Sequence, residues 1–209
     1  MPKSATISGV QFERFVQSSF RIKSGDTVIY VDPHRIPSGD TADLVLVTHE
    51  HYDHMDAASI KAVEGPDTVV VANAPCARQL QDKVSSRIVS VEEGSTVNEN
   101  GIQVRAVPGY NNIHPRGANV GFVIVLGGLT IYHAGDTGRV PEMTNLGPID
   151  VALVPIGGTY TMDENEAADA VKDIQPRVAV PMHYGYATGG DPHKFASLVG
   201  KAAEVIILE

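Results

Sequence analysis

Four apolar residues in a row, Leu44-Val45-Leu46-Val47, are followed after a single threonine by His49-Glu50-His51-Tyr52-Asp53-His54. A continuous apolar run of strand length, flanked by polar residues, fits a strand buried on both faces. Such a strand needs covering layers on both sides of its sheet. In folds of that kind, binding groups collect where the carboxyl end of a strand gives way to a loop. The histidine run stands at such a junction.

The rest of the chain repeats short apolar runs broken by turn residues. Ser19 to Lys23, Ser24-Gly25-Asp26 and Thr27 to Val31 predict a hairpin, with Gly-Asp supplying the turn backbone. Val120 to Leu126, Gly127-Gly128 and Leu129 to Tyr132 predict a second. Further strands are expected over Thr68 to Ala72, Arg87 to Val91, Ile102 to Val107, Asp150 to Pro155, Arg177 to Val180 and Val205 to Leu208. Helices are expected over Asp56 to Val63, capped by Asp56, and over Pro192 to Ala203, which opens on a proline. A third is expected after Thr161-Met162-Asp163-Glu164, which has capping-box spacing. Interspersed strands and helices imply an α/β chain with helix-covered sheets. No linker, low-complexity tract or short-period repeat interrupts residues 1–209, so a single domain is expected.

Composition narrows the function. With 209 residues, 43% hydrophobic and 20% charged, the chain can bury a substantial core, and disorder is not its default state. A net charge of −9 disfavours broad binding to nucleic acid or anionic membranes. No apolar run approaches the roughly 20 residues of a spanning helix, and the first residues lack a secretory apolar stretch. The lone cysteine, Cys76, rules out an internal disulfide and cysteine-pair zinc sites, and is expected buried near a helix start. A reducing, cytoplasmic setting is the simplest expectation.

Three of the eight histidines fall within positions 49–54. Imidazole nitrogen and carboxylate oxygen suit zinc, manganese or iron. His49 and His51, two apart, point the same way in an extended segment and would grip one ion. Asp53 and His54, past the bend, would face a second. Completing such a site requires ligands from elsewhere. His114 is the only histidine between His54 and His133, and it sits in a loop rich in Gly, Asn and Pro. Asp136, in Tyr132-His133-Ala134-Gly135-Asp136-Thr137-Gly138, follows a predicted strand and is a candidate bridging carboxylate. His183 ends the apolar run Val178 to Met182 in the same manner. His133 is expected in a supporting or structural role, His193 at the surface, and His34 at the cleft rim without ligating.

His-x-His-x-Asp-His, then a single His, an Asp in Gly-Asp-Thr and a final His together resemble the metallo-β-lactamase superfamily. Within it, Tyr132 to Thr137, Val154-Pro155-Ile156-Gly157-Gly158, Thr161-Met162 and Pro181-Met182-His183-Tyr184-Gly185 resemble a branch of cytosolic metal-dependent hydrolases. That branch is similar to ascorbate-phosphate lactonases and, more distantly, to phospholipase-D-type enzymes. The resemblance spans nearly the whole chain. It implies a four-layer αββα sandwich with metals at one edge between two sheets. It also implies that His49, His51 and His114 hold a first metal, that Asp53, His54 and His183 hold a second, and that Asp136 stands between them.

The function expected from this reading is metal-dependent hydrolysis of an ester, lactone or phosphodiester in a small-molecule substrate. Two divalent metal ions, zinc first with manganese or iron as alternatives, would share a bridging hydroxide and polarise the substrate oxygen. Asp53 and Asp136 are the catalytic candidates, with Asp53 also orienting the water. His133, Tyr184 and Tyr160 are candidates for protonating the leaving group, and Arg116, Arg139 and Lys194 for meeting an anionic substrate. A β-lactamase proper and transfer-RNA processing are disfavoured. A di-iron redox protein and a non-catalytic metal-binding protein on the same scaffold remain the alternatives.

Overall fold

The structure, a computed structural model, describes residues 3–209. In the first sheet, β1 (Ser4–Ile7), β2 (Val10–Arg14), β3 (Phe20–Ser24), β4 (Thr27–Val31), β5 (Leu44–Val47), β6 (Val69–Asn73) and β7 (Arg87–Val91) lie side by side in chain order. The second sheet holds β8 (Thr96–Glu99), β9 (Ile102–Gly109), β10 (Asn119–Leu126), β11 (Leu129–His133), β12 (Val151–Pro155), β13 (Val178–Met182) and β14 (Glu204–Val205), again in chain order. Each sheet begins as an antiparallel meander and ends in parallel strands, from β4 onward in the first and from β11 onward in the second. The two sheets thus share one topology, which the sequence does not betray as a repeat.

Parallel neighbours require crossovers, and helices supply most of them. Helix α1 (Ala57–Val63) links β5 to β6, α2 (Ala74–Leu80) links β6 to β7, α3 (Glu164–Ile174) links β12 to β13, and α4 (Pro192–Val199) links β13 to β14. Each start is fixed by a side chain accepting from free backbone N–H groups: Asp56 for α1, Asn73 for α2, Asp163 for α3 and Asp191 for α4.

Strand β5 shows how the layers form. Leu44 and Leu46 enter the core between the sheets with Phe12, Phe20, Phe122 and Ile131, while Val45 and Val47 pack on the other face with Ile60, Cys76 and Leu80 beneath α1 and α2. The expected double burial of this run is met, with alternate residues serving opposite faces. On the far side, Ala167, Val171, Phe195 and Val199 of α3 and α4 are buried. Helices thus lie outside two face-to-face sheets, giving the αββα sandwich.

Several local expectations differ from the structure. Strands β1, β2 and β8 are not among the expected elements, and α2 is expected only as a helix start near a buried Cys76, which it supplies. In β2 the buried positions are Val10, Phe12 and Arg14, so an arginine occupies the third inward position of a short alternating pattern. The capping box of α3 is Asp163 with Glu166, three residues apart like Thr161 and Glu164. Thr161 instead accepts the Gly157 N–H at 3.2 Å. Helix α4 ends at Val199 rather than Ala203, because Gly200 takes a positive φ of 58° that stops the helix. Among the described residues, no helix is long and apolar enough to cross a membrane.

Candidate metal centre

The carboxyl ends of parallel strands from both sheets point to one edge of the sandwich. Asp32 follows β4, His49 follows β5, Asp136 follows β11 and His183 follows β13. The loop from β5 to α1 carries His51, Asp53 and His54, and the loop between β9 and β10 carries His114. A backbone bond from Val120 N–H to the Thr48 carbonyl, 3.2 Å, ties the two sheets together beside the site. His54 N–H and Met55 N–H both donate to the His51 carbonyl, at 3.0 and 2.9 Å, and close the bend expected before Asp53 and His54. His49 is buried and His51 exposed, and their rings meet.

All seven side chains singled out in the sequence converge there, in two groups. In the first, His51 Nδ1 lies 3.1 Å from His49 Nε2 and 3.2 Å from His114 Nε2, and Asp136 Oδ2 lies 3.8 Å from His49 Nε2. In the second, Asp53 Oδ2 is 3.7 Å from both His54 Nε2 and His183 Nε2. Asp136 reaches both groups, with Oδ1 3.4 Å from His54 Nε2 and Oδ2 3.1 Å from His183 Nε2. The ligand atoms within each group lie within 4.8 Å of one another.

A ring of partners orients these imidazoles. Asp32 Oδ2 accepts from His54 Nδ1 at 2.7 Å, and the same carboxylate accepts the Thr48 N–H and hydroxyl, each at 2.8 Å. Thr48 Oγ1 is 3.0 Å from His49 Nδ1, Asn111 Oδ1 is 3.3 Å from His114 Nδ1, and Thr188 Oγ1 is 3.3 Å from His183 Nδ1. In His49, His54, His114 and His183 the outward Nδ1 is thereby engaged and Nε2 faces the centre, whereas His51 presents Nδ1. Gln17 Nε2 approaches Asp53 Oδ2 at 3.5 Å and His183 Nε2 at 3.4 Å. Gln17, Asp32 and His183 all hold positive φ, a backbone strain of the kind that gathers at functional sites. The sequence reading missed Asp32, Thr48, Asn111, Thr188 and Gln17 as supports. For Asp32 a signal existed, since it ends a strand just as His49 does.

Charge at the centre is set by burial against neighbours. Burial, then the nearby His54, hold His49 well below the usual imidazole range, and burial likewise lowers His114. For His54 burial works the same way but is outweighed by Asp136 and Asp32, which raise it well above that range. Burial would raise Asp136, yet His54 and His183 hold it well below the ordinary carboxylate range. Two buried atoms, His54 Nε2 and Asp136 Oδ1, have no hydrogen-bond partner in the protein. The uncharged His49 and His114, the ionised Asp136 and the unpartnered His54 Nε2 together form a nitrogen–oxygen donor set that fits divalent transition-metal ions.

Other candidates fall outside the centre. His133 is buried, donates from Nε2 to the Ser18 carbonyl at 2.9 Å and accepts the Gly135 N–H at 3.3 Å, a structural role. His193 is exposed at the start of α4. His34 is buried beneath Tyr52 and Tyr186 rather than ligating. The Tyr184 hydroxyl donates to the Leu208 carbonyl at 2.9 Å and is unavailable to a substrate. Tyr160 does line the cleft over the centre, a space of about 450 Å³ also bounded by Gln17, His51, Tyr52, Asp53, Asp136, His183, Ala187 and Thr188.

Residues 11–183 match the family described as the β-lactamase superfamily domain. A UPF0173 metal-dependent hydrolase of Thermococcus kodakarensis is 39% identical over 198 residues, covering 89% of this chain and 85% of the relative. A metallo hydrolase from the hyperthermophilic archaeon Ignicoccus hospitalis superposes with a TM-score of 0.82 at 30% identity, over 96% of this chain and 95% of that one. A Parabacteroides distasonis protein superposes with a TM-score of 0.88 at 29% identity, over 100% of this chain and 98% of that one.

Proposed function

Because the chain belongs to the metallo-β-lactamase superfamily and, within it, to the UPF0173 metal-dependent hydrolases, we propose that it hydrolyses an ester, lactone or phosphodiester bond in a small molecule, using two divalent ions, zinc first. Residues 1–209 form one domain on this reading, working in a reducing, cytoplasmic setting in which Cys76 stays a free, buried thiol. The observation that carries the proposal is the convergence of seven nitrogen and oxygen ligands in two groups with Asp136 between them.

His49, His51 and His114 would hold one ion, and Asp53, His54 and His183 the other, with Asp136 touching both. When bound, the ions supply an activated water and a Lewis acid for the scissile carbonyl or phosphoryl group. The chain's own groups do the rest. Asp32, Thr48, Asn111 and Thr188 keep the imidazoles in one orientation, so nothing reorganises as the reaction proceeds. Asp53 and Asp136 supply the negative charge that holds the centre together, and Asp53, open to the cleft beside Gln17, orients the attacking water. Of the three candidates for protonating a leaving group, Tyr160 is the one that lines the cleft.

Elemental analysis of the purified protein, coupled to a panel of ester, lactone and phosphodiester substrates, tests the reading. Stoichiometric zinc, activity abolished by a chelator and metal lost in His49→Ala are expected. Activity that survives complete metal removal would overturn it.

A further inference from the structure

The fold leaves few large apolar side chains exposed, and those that are aromatic stand together. Among the described residues, the exposed rings are Tyr52 at 65%, Tyr160 at 47% and Tyr186 at 44%. Tyr52 and Tyr160 line the metal cleft. Tyr186 is outside that lining but packs on the same His34 ring as Tyr52. Two exposed rings in the cleft wall, bordered by a third, form an apolar surface of the kind that marks a binding site.

The rings are also held in place. Tyr52 packs edge-on against the buried His34 ring at 5.7 Å, and Tyr186 packs on the same imidazole at 6.1 Å. The Arg35 guanidinium lies 5.0 Å from the Tyr186 centroid. The Tyr160 carbonyl accepts from Asn111 Nδ2 at 2.8 Å, and Asn111 is the residue that orients His114. A grip built on such supports loses little freedom on binding.

The charge around the cleft is equally selective. Its lining includes no lysine or arginine. The cations expected to meet an anionic substrate are engaged elsewhere: Arg116 with Glu93 and Glu142 at 2.8 and 2.7 Å, Arg139 with Asp173 at 2.6 Å, and Lys194 with Glu164 at 3.1 Å. Beyond the ions' immediate reach, a substrate meets phenol rings, Ala187 and Thr188.

We propose that the substrate carries an uncharged, flat apolar group beyond its reacting bond, and that Tyr52 and Tyr160 grip that group, with Tyr186 bordering them through the shared His34 ring. The proposal rests on the hydrolase reading above for the bond that is cut, but the grip is separately measurable. An anionic tail would instead draw on Arg35, which lies over the Tyr186 ring.

The test uses the full-length, zinc-loaded protein and three para-nitrophenyl esters: the acetate, the phenylpropanoate and the hemisuccinate, each corrected for its uncatalysed rate. The phenylpropanoate is expected to exceed the other two roughly tenfold in kcat/KM, the size of one well-made aromatic contact. Tyr52→Ala and Tyr160→Ala should remove that preference, read as the ratio of kcat/KM between esters that share one leaving group, while Tyr52→Phe and Tyr160→Phe keep the ratio even where loss of a hydroxyl slows all three. A hemisuccinate preference that disappears in Arg35→Gln, or no preference at all, overturns the proposal. If none of the esters is cleaved, the ester reading fails by itself and calorimetry decides the grip. Naphthylacetohydroxamate should then bind the zinc-loaded protein roughly tenfold tighter than succinic monohydroxamate, and lose that advantage in Tyr160→Ala. Equal affinities overturn it.

Discussion

Asp32 and His54 meet at 2.7 Å, Oδ2 to Nδ1, with both side chains buried at the heart of the sandwich edge. The contact sets the tautomer of His54, placing a proton on Nδ1 and leaving Nε2 to face Asp53 and Asp136. The same carboxylate fixes the Thr48 amide and hydroxyl, and Thr48 in turn touches His49. One acid, delivered by the end of β4, therefore organises an imidazole from each of the two groups.

Asp32→Asn should expose this dependence. The amide keeps the volume, but with its oxygen accepting from His54 Nδ1 and the Thr48 hydroxyl its NH2 confronts the Thr48 N–H, and in the flipped orientation it confronts Nδ1. Metal affinity is expected to fall about 10- to 100-fold, the range for lost partners of metal-ligating histidines. Competition against a fluorescent chelator measures it, with circular dichroism confirming the fold. Wild-type affinity in Asp32→Asn would refute the role.

His114→Ala separates the two groups. His114 approaches His51 and belongs with His49, whereas Asp53, His54 and His183 form their own set. The variant should lose one equivalent of metal and keep the other. Asp136→Ala, which strips both groups, should lose both. Metal content after equilibrium dialysis reads the difference, and equal losses in the two variants would contradict separate sites.

The centre's principal side chains were legible because three of the eight histidines cluster after one apolar run, Asp136 and His183 follow two others, and His114 is the one histidine between His54 and His133. The same rule applied to Asp32 would have found it, but aspartate before proline is common in turns and drew no notice. Gln17, Asn111 and Thr188 carry no such mark, since their roles exist only once loops far apart in sequence are brought together. In the fold, long apolar runs such as β5, β10 and β12 announced themselves. Strand β2 did not, because Arg14 occupies an inward position. The misplaced cap of α3 has a related cause. Thr161–Glu164 and Asp163–Glu166 share one spacing, and only the bond from Gly157 to Thr161 decides between them.

His133 makes stability depend on pH. Burial lowers it from the ordinary value of 6.5, and its two nitrogens already serve Ser18 and Gly135 in the neutral form. Protonation then favours the unfolded chain, so its contribution is fully present above the unfolded value and is lost as pH falls below it. His49 and His114 act in the same sense, while the raised His54 acts oppositely. His133→Gln should therefore show a shallower acid loss than wild type, by at most about 2 kcal/mol between about pH 6.5 and 5. Urea unfolding of chelator-treated protein at several pH values measures the two slopes. Parallel slopes would remove His133 from the account.

Arg14 offers the sharpest test of how the centre is anchored to the fold. Its buried guanidinium donates to the carbonyls of Gln17 at 3.2 Å, Leu208 at 3.0 Å and Tyr184 at 2.6 Å. It also stacks 4.0 Å from the centroid of the Tyr184 ring. The end of the chain, the loop after His183 and the backbone of Gln17 are thus held by one side chain. Arg14→Met keeps the apolar stem but leaves the Tyr184 carbonyl without a partner, while the Gln17 carbonyl keeps the His183 N–H and the Leu208 carbonyl keeps the Tyr184 hydroxyl. A loss of about 1–3 kcal/mol is expected for the one unpaired acceptor, equivalent to a Tm lower by about 2–12 °C in a chain of this size. Arg14→Lys should recover only part of it, because an ammonium lacks the planar fork that spans three carbonyls. Since Gln17 leans on Asp53 and His183, Arg14→Met should also weaken metal binding at the second group more than at the first. Thermal melts in chelator and with zinc separate these effects. An unchanged Tm in Arg14→Met would show that the Tyr184 carbonyl finds water instead.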